Sequence, residues 1–335
     1  MNIASIFSSH MVFAAGKPIR VFGRGTGTAR ISFAGITRTV ISKESKWCTE
    51  FPPMQYGGPY TMTVSFKTET IKLEDIFIGE VFLFAGQSNM QFKMGESDAA
   101  LDNCKSDGRL RLFSADRIED TDFFKAKDGW VICQKEQIKY WSAVAYLTSR
   151  NIAEQKNIAV GAIACYQGAS VIESWLPKGS CEKLGINIPT EQKHADHLYP
   201  EYRLWNSDGT LYEFALPQIA PFSLSAAVWY QGESDTFGDE AKIYHNELKE
   251  LIKVWRNDFK NSLLPFIVVQ LADFAERNDN NWALIQQAQL KIQDSAENVK
   301  TVIAADVCED NDIHPKSKDK LSDRIAKQLI SFLHA

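Results

Sequence analysis

Glu80-Val81-Phe82-Leu83-Phe84-Ala85-Gly86-Gln87-Ser88-Asn89-Met90 is the stretch whose reading decides the fold. Val81 to Ala85 are apolar without interruption, over the length of a strand. A strand with one wet face alternates apolar and polar residues, whereas one covered on both faces reads as a continuous run. The run therefore predicts an inner strand of a sheet with helices on both sides. It stops at Gly86, and Ser88 follows at once, so the chain leaves the strand through a sharp turn that presents a hydroxyl.

Downstream, four more runs repeat the pattern, at 159–164, 226–230, 266–270 and 301–305. Stretches of helical period fall at 143–155, 241–256 and 282–295, and a last helix is expected over 318–332. Strands that alternate with helices imply crossover connections and a parallel sheet. Residues 79–335 are thus expected to form a doubly wound α/β domain.

Upstream the texture differs. Pro18-Ile19-Arg20-Val21-Phe22, Ala29-Arg30-Ile31-Ser32-Phe33 and Tyr60-Thr61-Met62-Thr63-Val64-Ser65-Phe66 are short strand-like segments, separated by glycine- and proline-rich turns. Residues 1–78 are expected to form a small all-β sandwich.

Composition sets outer limits. The 335 residues are 44% hydrophobic and 24% charged, the balance of a globular chain able to bury its own core. A formal net charge of −5 argues against a nucleic-acid or anionic-membrane surface. No apolar run reaches the roughly 18 residues of a membrane span. The first residues lack the basic and apolar regions of a signal peptide, so a cytoplasmic location is expected as written, or a periplasmic or secreted one if a signal has been removed. The six cysteines are scattered and expected to be reduced thiols.

In an open parallel sheet, ligands bind beyond the carboxyl ends of the strands. Four such ends carry small polar or ionisable residues: Gly86-Gln87-Ser88-Asn89, Gln167-Gly168-Ala169-Ser170, Gln231-Gly232-Glu233-Ser234-Asp235, and the segment from Asp306 to Asp310-Asn311-Asp312-Ile313-His314-Pro315. A serine after a strand is often only a helix cap. It becomes a nucleophile when a base stands beside it. Of the six histidines, His314 alone follows a core strand and neighbours acids, and it is the candidate base. His194 and His197 have a metal-ligand spacing but no evident third ligand, so no metal is expected. An orienting carboxylate is required behind the imidazole, and spacing does not choose among Asp310, Asp312 and Glu233. The backbone amides of Ser88 and Gly168 and the side-chain amide of Gln231 are candidate oxyanion donors. Gln87, Asn89, Trp175 and Tyr230 are candidate substrate contacts, the last two by stacking on a sugar ring.

These blocks, in this order, resemble those of bacterial sialate O-acetylesterases, which are SGNH-type hydrolases related to acetylxylan esterases. The blocks are Gly86-Gln87-Ser88-Asn89-Met90, the stretch from Gln167 through Trp175, Trp229-Tyr230-Gln231-Gly232-Glu233-Ser234-Asp235, and Asp312-Ile313-His314-Pro315. Phe7-Ser8-Ser9-His10-Met11-Val12-Phe13 is similar to the opening β-region of such proteins. The resemblance implies a serine esterase acting on O-acetylated sugars without a cofactor, with Ser88 as nucleophile, His314 as base and Gly168 in the oxyanion role. Gln231 stands where many SGNH enzymes carry asparagine. Asn311 stands where many carry aspartate, which leaves Asp312 or Glu233 as the acid. The segment 176–225 is shorter than its counterpart in many sialate esterases. Acetylxylan esterase activity, or non-catalytic carbohydrate binding, are the alternative functions.

Overall fold

The computed structural model describes residues 1–118, 129–185, 202, 204–277 and 280–333. Eight strands precede the first helix: β1 (Asn2–Ile3), β2 (Val12–Ala14), β3 (Ile19–Arg24), β4 (Thr28–Phe33), β5 (Ile36–Ile41), β6 (Lys46–Phe51), β7 (Gly57–Ser65) and β8 (Thr70–Gly86). Strands β1, β3 and β6 form a three-stranded antiparallel sheet, while β4 pairs with β5 and β7, and β7 with β8. Aromatic contacts join the two groups, including Phe33 of β4 edge-on to Phe51 of β6 with centroids 6.0 Å apart.

β8 is the longest strand, and its surroundings change midway. Residues 70–78 pair antiparallel with β7, and residues 80–86 pair parallel with the next sheet. Its first half shows partly exposed positions, whereas everything from Ile78 to Gly86 is buried. One strand thus runs through the position where the sequence texture changes.

The second sheet adds β9 (Asp107–Ser114), β10 (Val131–Cys133), β11 (Val160–Tyr166), β12 (Ala226–Tyr230), β13 (Phe266–Gln270) and β14 (Val299–Ile303). The order is β10-β9-β11-β8-β12-β13-β14, parallel throughout except for the edge strand β10. The chain is therefore α/β with a large parallel sheet. The helices are α1 (Ser88–Gln91), α2 (Lys135–Ile138), α3 (Ala143–Lys156), α4 (Ser180–Lys183), α5 (Thr210–Ile219), α6 (Glu240–Asp258), α7 (Asn280–Ser295) and α8 (Asp319–Phe332). Two helix pairs pack on the sheet, α3 with α8 and α6 with α7.

The strands expected at 226–230 and 266–270 fall at those residues, and the four long helices lie within two residues of their expected bounds. Three differences have physical causes. β9 was not expected, because Arg109 and Arg111 interrupt its apolar residues. Arg111 is nonetheless buried, donating to the carbonyls of Gly108, His10 and Asp75 and to the Asp75 carboxylate. α5 was not expected either, and it carries Pro217. β14 lies two residues earlier than expected, since as an edge strand it tolerates Lys300 and leaves Ile303 exposed.

The core between β12 and its helices centres on Trp175, Trp229 and Trp255, whose rings meet edge to face at 5.5–6.2 Å. All three are fully buried, and each would cost about 3–5 kcal/mol to truncate to alanine. All six cysteines are free thiols, with Cys104, Cys133 and Cys165 buried. Among the described residues no helix is long and apolar enough to cross a membrane.

The sheet positions the site through register. Gly86 is the Cα partner of both Tyr166 and Tyr230, so three strands end at one level. Gly86 has φ +138°, and a β-carbon there would overlap the carbonyl of Tyr230. Only glycine allows this approach. The substitution Gly86→Ala is expected to lower unfolding free energy by about 3 kcal/mol or more, read as a shifted urea midpoint at constant slope.

Candidate active site

Ser88 opens α1 directly beyond the end of β8. His314 lies on the loop between β14 and α8. Its Nε2 stands 2.8 Å from the Ser88 Oγ, a hydrogen bond joining residues 226 positions apart. Both side chains line a cavity of about 290 Å³ with Gln91, Phe92, Lys93, Glu96 and Gly168. Phe92 stacks against the imidazole at 6.3 Å between centroids. A wider cleft of about 940 Å³ lies between the N-terminal strands and α5, and none of these residues lines it.

Neither of the other described histidines is hydrogen-bonded to Ser88. His10 pairs with Asp75 at 2.7 Å, and His245 contacts the Ala288 carbonyl and Ser295. His194 and His197, with their metal-ligand spacing, lie outside the described residues, as does His334.

The imidazole is held below its ordinary pKa. Burial is the main cause; the Asp312 charge opposes it, the Lys318 ammonium adds to it, and Glu96 opposes it weakly. Neutral imidazole with its proton on Nδ1 can accept from the serine hydroxyl, as a general base requires.

The two candidate acids sit differently. Asp312 is exposed, and its Oδ1 accepts from the His314 backbone N–H at 2.9 Å. Glu233 is buried, and burial pushes its pKa up. Its Oε1 accepts from Asn89 Nδ2 at 2.6 Å. Neither is hydrogen-bonded to the ring of His314 among the described residues. Asp310 and Asn311 are exposed beside them.

Asn89 joins four segments. Its Nδ2 donates to Glu233 and, at 2.9 Å, to the carbonyl of Ile313, the residue before His314. Its Oδ1 accepts from Lys318 Nζ at 2.8 Å. Lys318 is fully buried, and burial pushes its pKa down to about 8. Its ammonium lies 5.0 Å from the centre of the Phe92 ring and 5.6 Å from that of Tyr230. Sequence reasoning missed Lys318; its only signal was a lysine four residues beyond the histidine.

All four residues expected to contact substrate are built into the core beneath the site. Gln87 is buried and its Oε1 accepts from the backbone N–H groups of Gly232 and Ser234. Asn89 spends its amide as described. Trp175 belongs to the tryptophan cluster and donates to Ser170 Oγ at 3.0 Å. Tyr230 is fully buried in the central strand β12. Neither aromatic ring can lie on a sugar without leaving the core.

The three expected oxyanion donors also divide. Ser88 N–H starts α1 and is not hydrogen-bonded among the described residues. Gly168 N–H is close by but donates to Gln91 Oε1 at 2.9 Å. Gln231 is not brought to the site. Its Nε2 donates to the Ser170 carbonyl at 2.9 Å and to Asp235, and its Oε1 accepts from Tyr244. The carboxamide is thereby consumed inside the protein.

Comparison with known proteins bears on this arrangement. Residues 78–331 match the family model described as carbohydrate esterase, sialic acid-specific acetylesterase. The sialate O-acetylesterase of Homo sapiens is 25% identical over 368 residues, covering 97% of this chain and 69% of that protein. The Mus musculus sialate O-acetylesterase is 22% identical over 389 residues, with 97% and 72% covered. A carbohydrate acetylesterase from Xanthomonas citri superposes with a TM-score of 0.85 at 23% identity, over 99% of this chain and 75% of that one, a likeness of fold. The family match spans the last part of β8 and the rest of the parallel sheet, Ser88 and His314 included, so the chain belongs to the sialic acid-specific acetylesterase family of carbohydrate esterases and is an ester hydrolase.

Proposed function

We propose that this esterase removes acetyl groups from O-acetylated sialic acids by a serine–histidine–acid mechanism. The contact between Ser88 Oγ and His314 Nε2 at 2.8 Å, in a cavity at the carboxyl ends of the strands, is the observation that carries the reading. The substrate class rests on the family description and on the names of the curated relatives. We read the fold as SGNH-type and doubly wound, with residues 1–78 as a β-sandwich accessory domain and 79–335 as the esterase domain.

In the first step Ser88 Oγ attacks the acetyl carbonyl as its proton passes to His314 Nε2. The tetrahedral intermediate collapses, and the departing sugar oxygen takes that proton. Water then attacks the acetyl-enzyme, giving its proton to His314, and acetate leaves as Ser88 is regenerated.

Asp312 is the acid in this reading. It is the carboxylate whose charge most favours the imidazolium. Glu233 is engaged by Asn89 and feels the Lys318 charge, and it makes no hydrogen bond to the ring among the described residues.

Ser88→Ala is expected to lower hydrolysis of p-nitrophenyl acetate by at least about 10³-fold with an unchanged melting curve, and retained turnover overturns the nucleophile. Acetate release is expected to be faster from O-acetylated sialic acid than from acetylated xylan; the reverse order assigns the enzyme to xylan. The active base is neutral imidazole, so its lowered pKa extends activity to more acidic pH. The acid limb of kcat/KM should have its midpoint below the ordinary imidazole value of about 6.5. Asp312→Asn removes the charge that supports the imidazolium. It should lower kcat roughly 10²-fold and move that limb further down, whereas a larger loss in Glu233→Gln transfers the role to Glu233.

A further inference from the structure

We propose that the Nε2 amide of Gln91 is the side-chain donor to the oxyanion formed at Ser88. The inference rests on Ser88 as the nucleophile and replaces Gln231, whose amide is spent in the core.

Three observations lead to it. Gln91 lies three residues after Ser88 in α1, and residues at that spacing share a helix face. Both line the same cavity, with Gly168 and His314. The orientation of the Gln91 carboxamide is fixed by its partner. The Gly168 backbone N–H can only donate, so the atom facing it at 2.9 Å is the oxygen, and the NH₂ group points away from Gly168. That NH₂ is not hydrogen-bonded to any described residue, so its two donors remain to be used.

The accounting of donors explains why one is needed. Acyl transfer puts a full negative charge on the carbonyl oxygen, and a single donor serves it poorly. Ser88 N–H supplies one hydrogen bond. Gly168 N–H, the donor that the resemblance implies, is occupied by Gln91. Its part here is to orient Gln91. As the Ser88 Oγ–C bond forms, the serine proton moves to His314 Nε2 and the carbonyl π pair moves onto oxygen. The resulting oxyanion accepts from Ser88 N–H and Gln91 Nε2–H. On collapse the pair returns, the C–O bond to the sugar breaks, and the alkoxide takes the proton from His314.

A different role for Gln91 has the opposite kinetic signature. If its side chain merely plugs the Gly168 amide, removing it frees a donor and the rate holds or rises. The experiment is steady-state hydrolysis of p-nitrophenyl acetate by Gln91→Ala and Gln91→Glu, with Ser88→Ala alongside and melting curves for all. Gln91→Ala is expected to lower kcat by about 10²–10³-fold with KM changed by no more than a few-fold. Gln91→Glu keeps the shape and the acceptor for Gly168 but, ionised, has no proton to give. It should lose at least as much at pH 8, which separates donation from mere orientation of the loop and stands even if the alanine variant misfolds. Activity near wild type in Gln91→Glu, or unchanged or raised activity in folded Gln91→Ala, overturns the assignment. Turnover retained in Ser88→Ala would instead overturn the nucleophile, so the two failures are distinguishable.

Discussion

One buried carboxamide holds the candidate active site together. Ser88 and His314 meet although 226 positions separate them, and the residue that fastens one segment to the other is Asn89. It follows the serine and grips the carbonyl just before the histidine. Its remaining hydrogen bonds go to a buried carboxylate on one side and a buried ammonium on the other, Glu233 and Lys318. Buried charges of opposite sign are costly unless each is satisfied, and removing one partner leaves the other exposed to the full desolvation penalty. An amide between them gives each one a hydrogen bond while remaining neutral. The arrangement thus fixes geometry and sets the field at the imidazole, because the Lys318 charge is one of the influences that keep His314 neutral.

Much of the fold was legible in the sequence because burial on both faces leaves an unmistakable pattern. The runs at 226–230 and 266–270 are inner strands of the sheet. β9 escaped because periodicity counts Arg111 as polar, whereas in the folded chain its guanidinium is consumed by carbonyls and by Asp75. A pattern of residue types carries no record of such partners. The shift in texture near residue 79 has a related origin. It marks a change in what lies against a single strand, from a half-open face to one covered on both sides.

At the site, position along the chain was informative and side-chain direction was not. Ser88 and His314 could be found because strand ends and loop histidines are defined by order in the sequence. Gln87, Asn89, Trp175, Tyr230 and Gln231 stand in the right blocks, yet their side chains turn inward. Polar residues beside a strand-end serine can reach into a cavity or hold the backbone around it, and here Gln87 and Asn89 hold backbone. Gln91 carried a usable signal, one helical turn from the serine, but spacing alone could not reveal that Gly168 fixes which end of its amide meets the glycine.

β8 belongs to both halves of the molecule, hydrogen-bonded to β7 over its first part and to β11 and β12 over its last. A shared strand behaves as a splint. It leaves no pivot about which the N-terminal strands could swing over the cavity, since any such rotation would have to shear a ladder of backbone hydrogen bonds. Differences in the sugar accepted by enzymes of this architecture then have to be written in the loops and side chains around the rim, while the floor beneath Ser88 stays rigid.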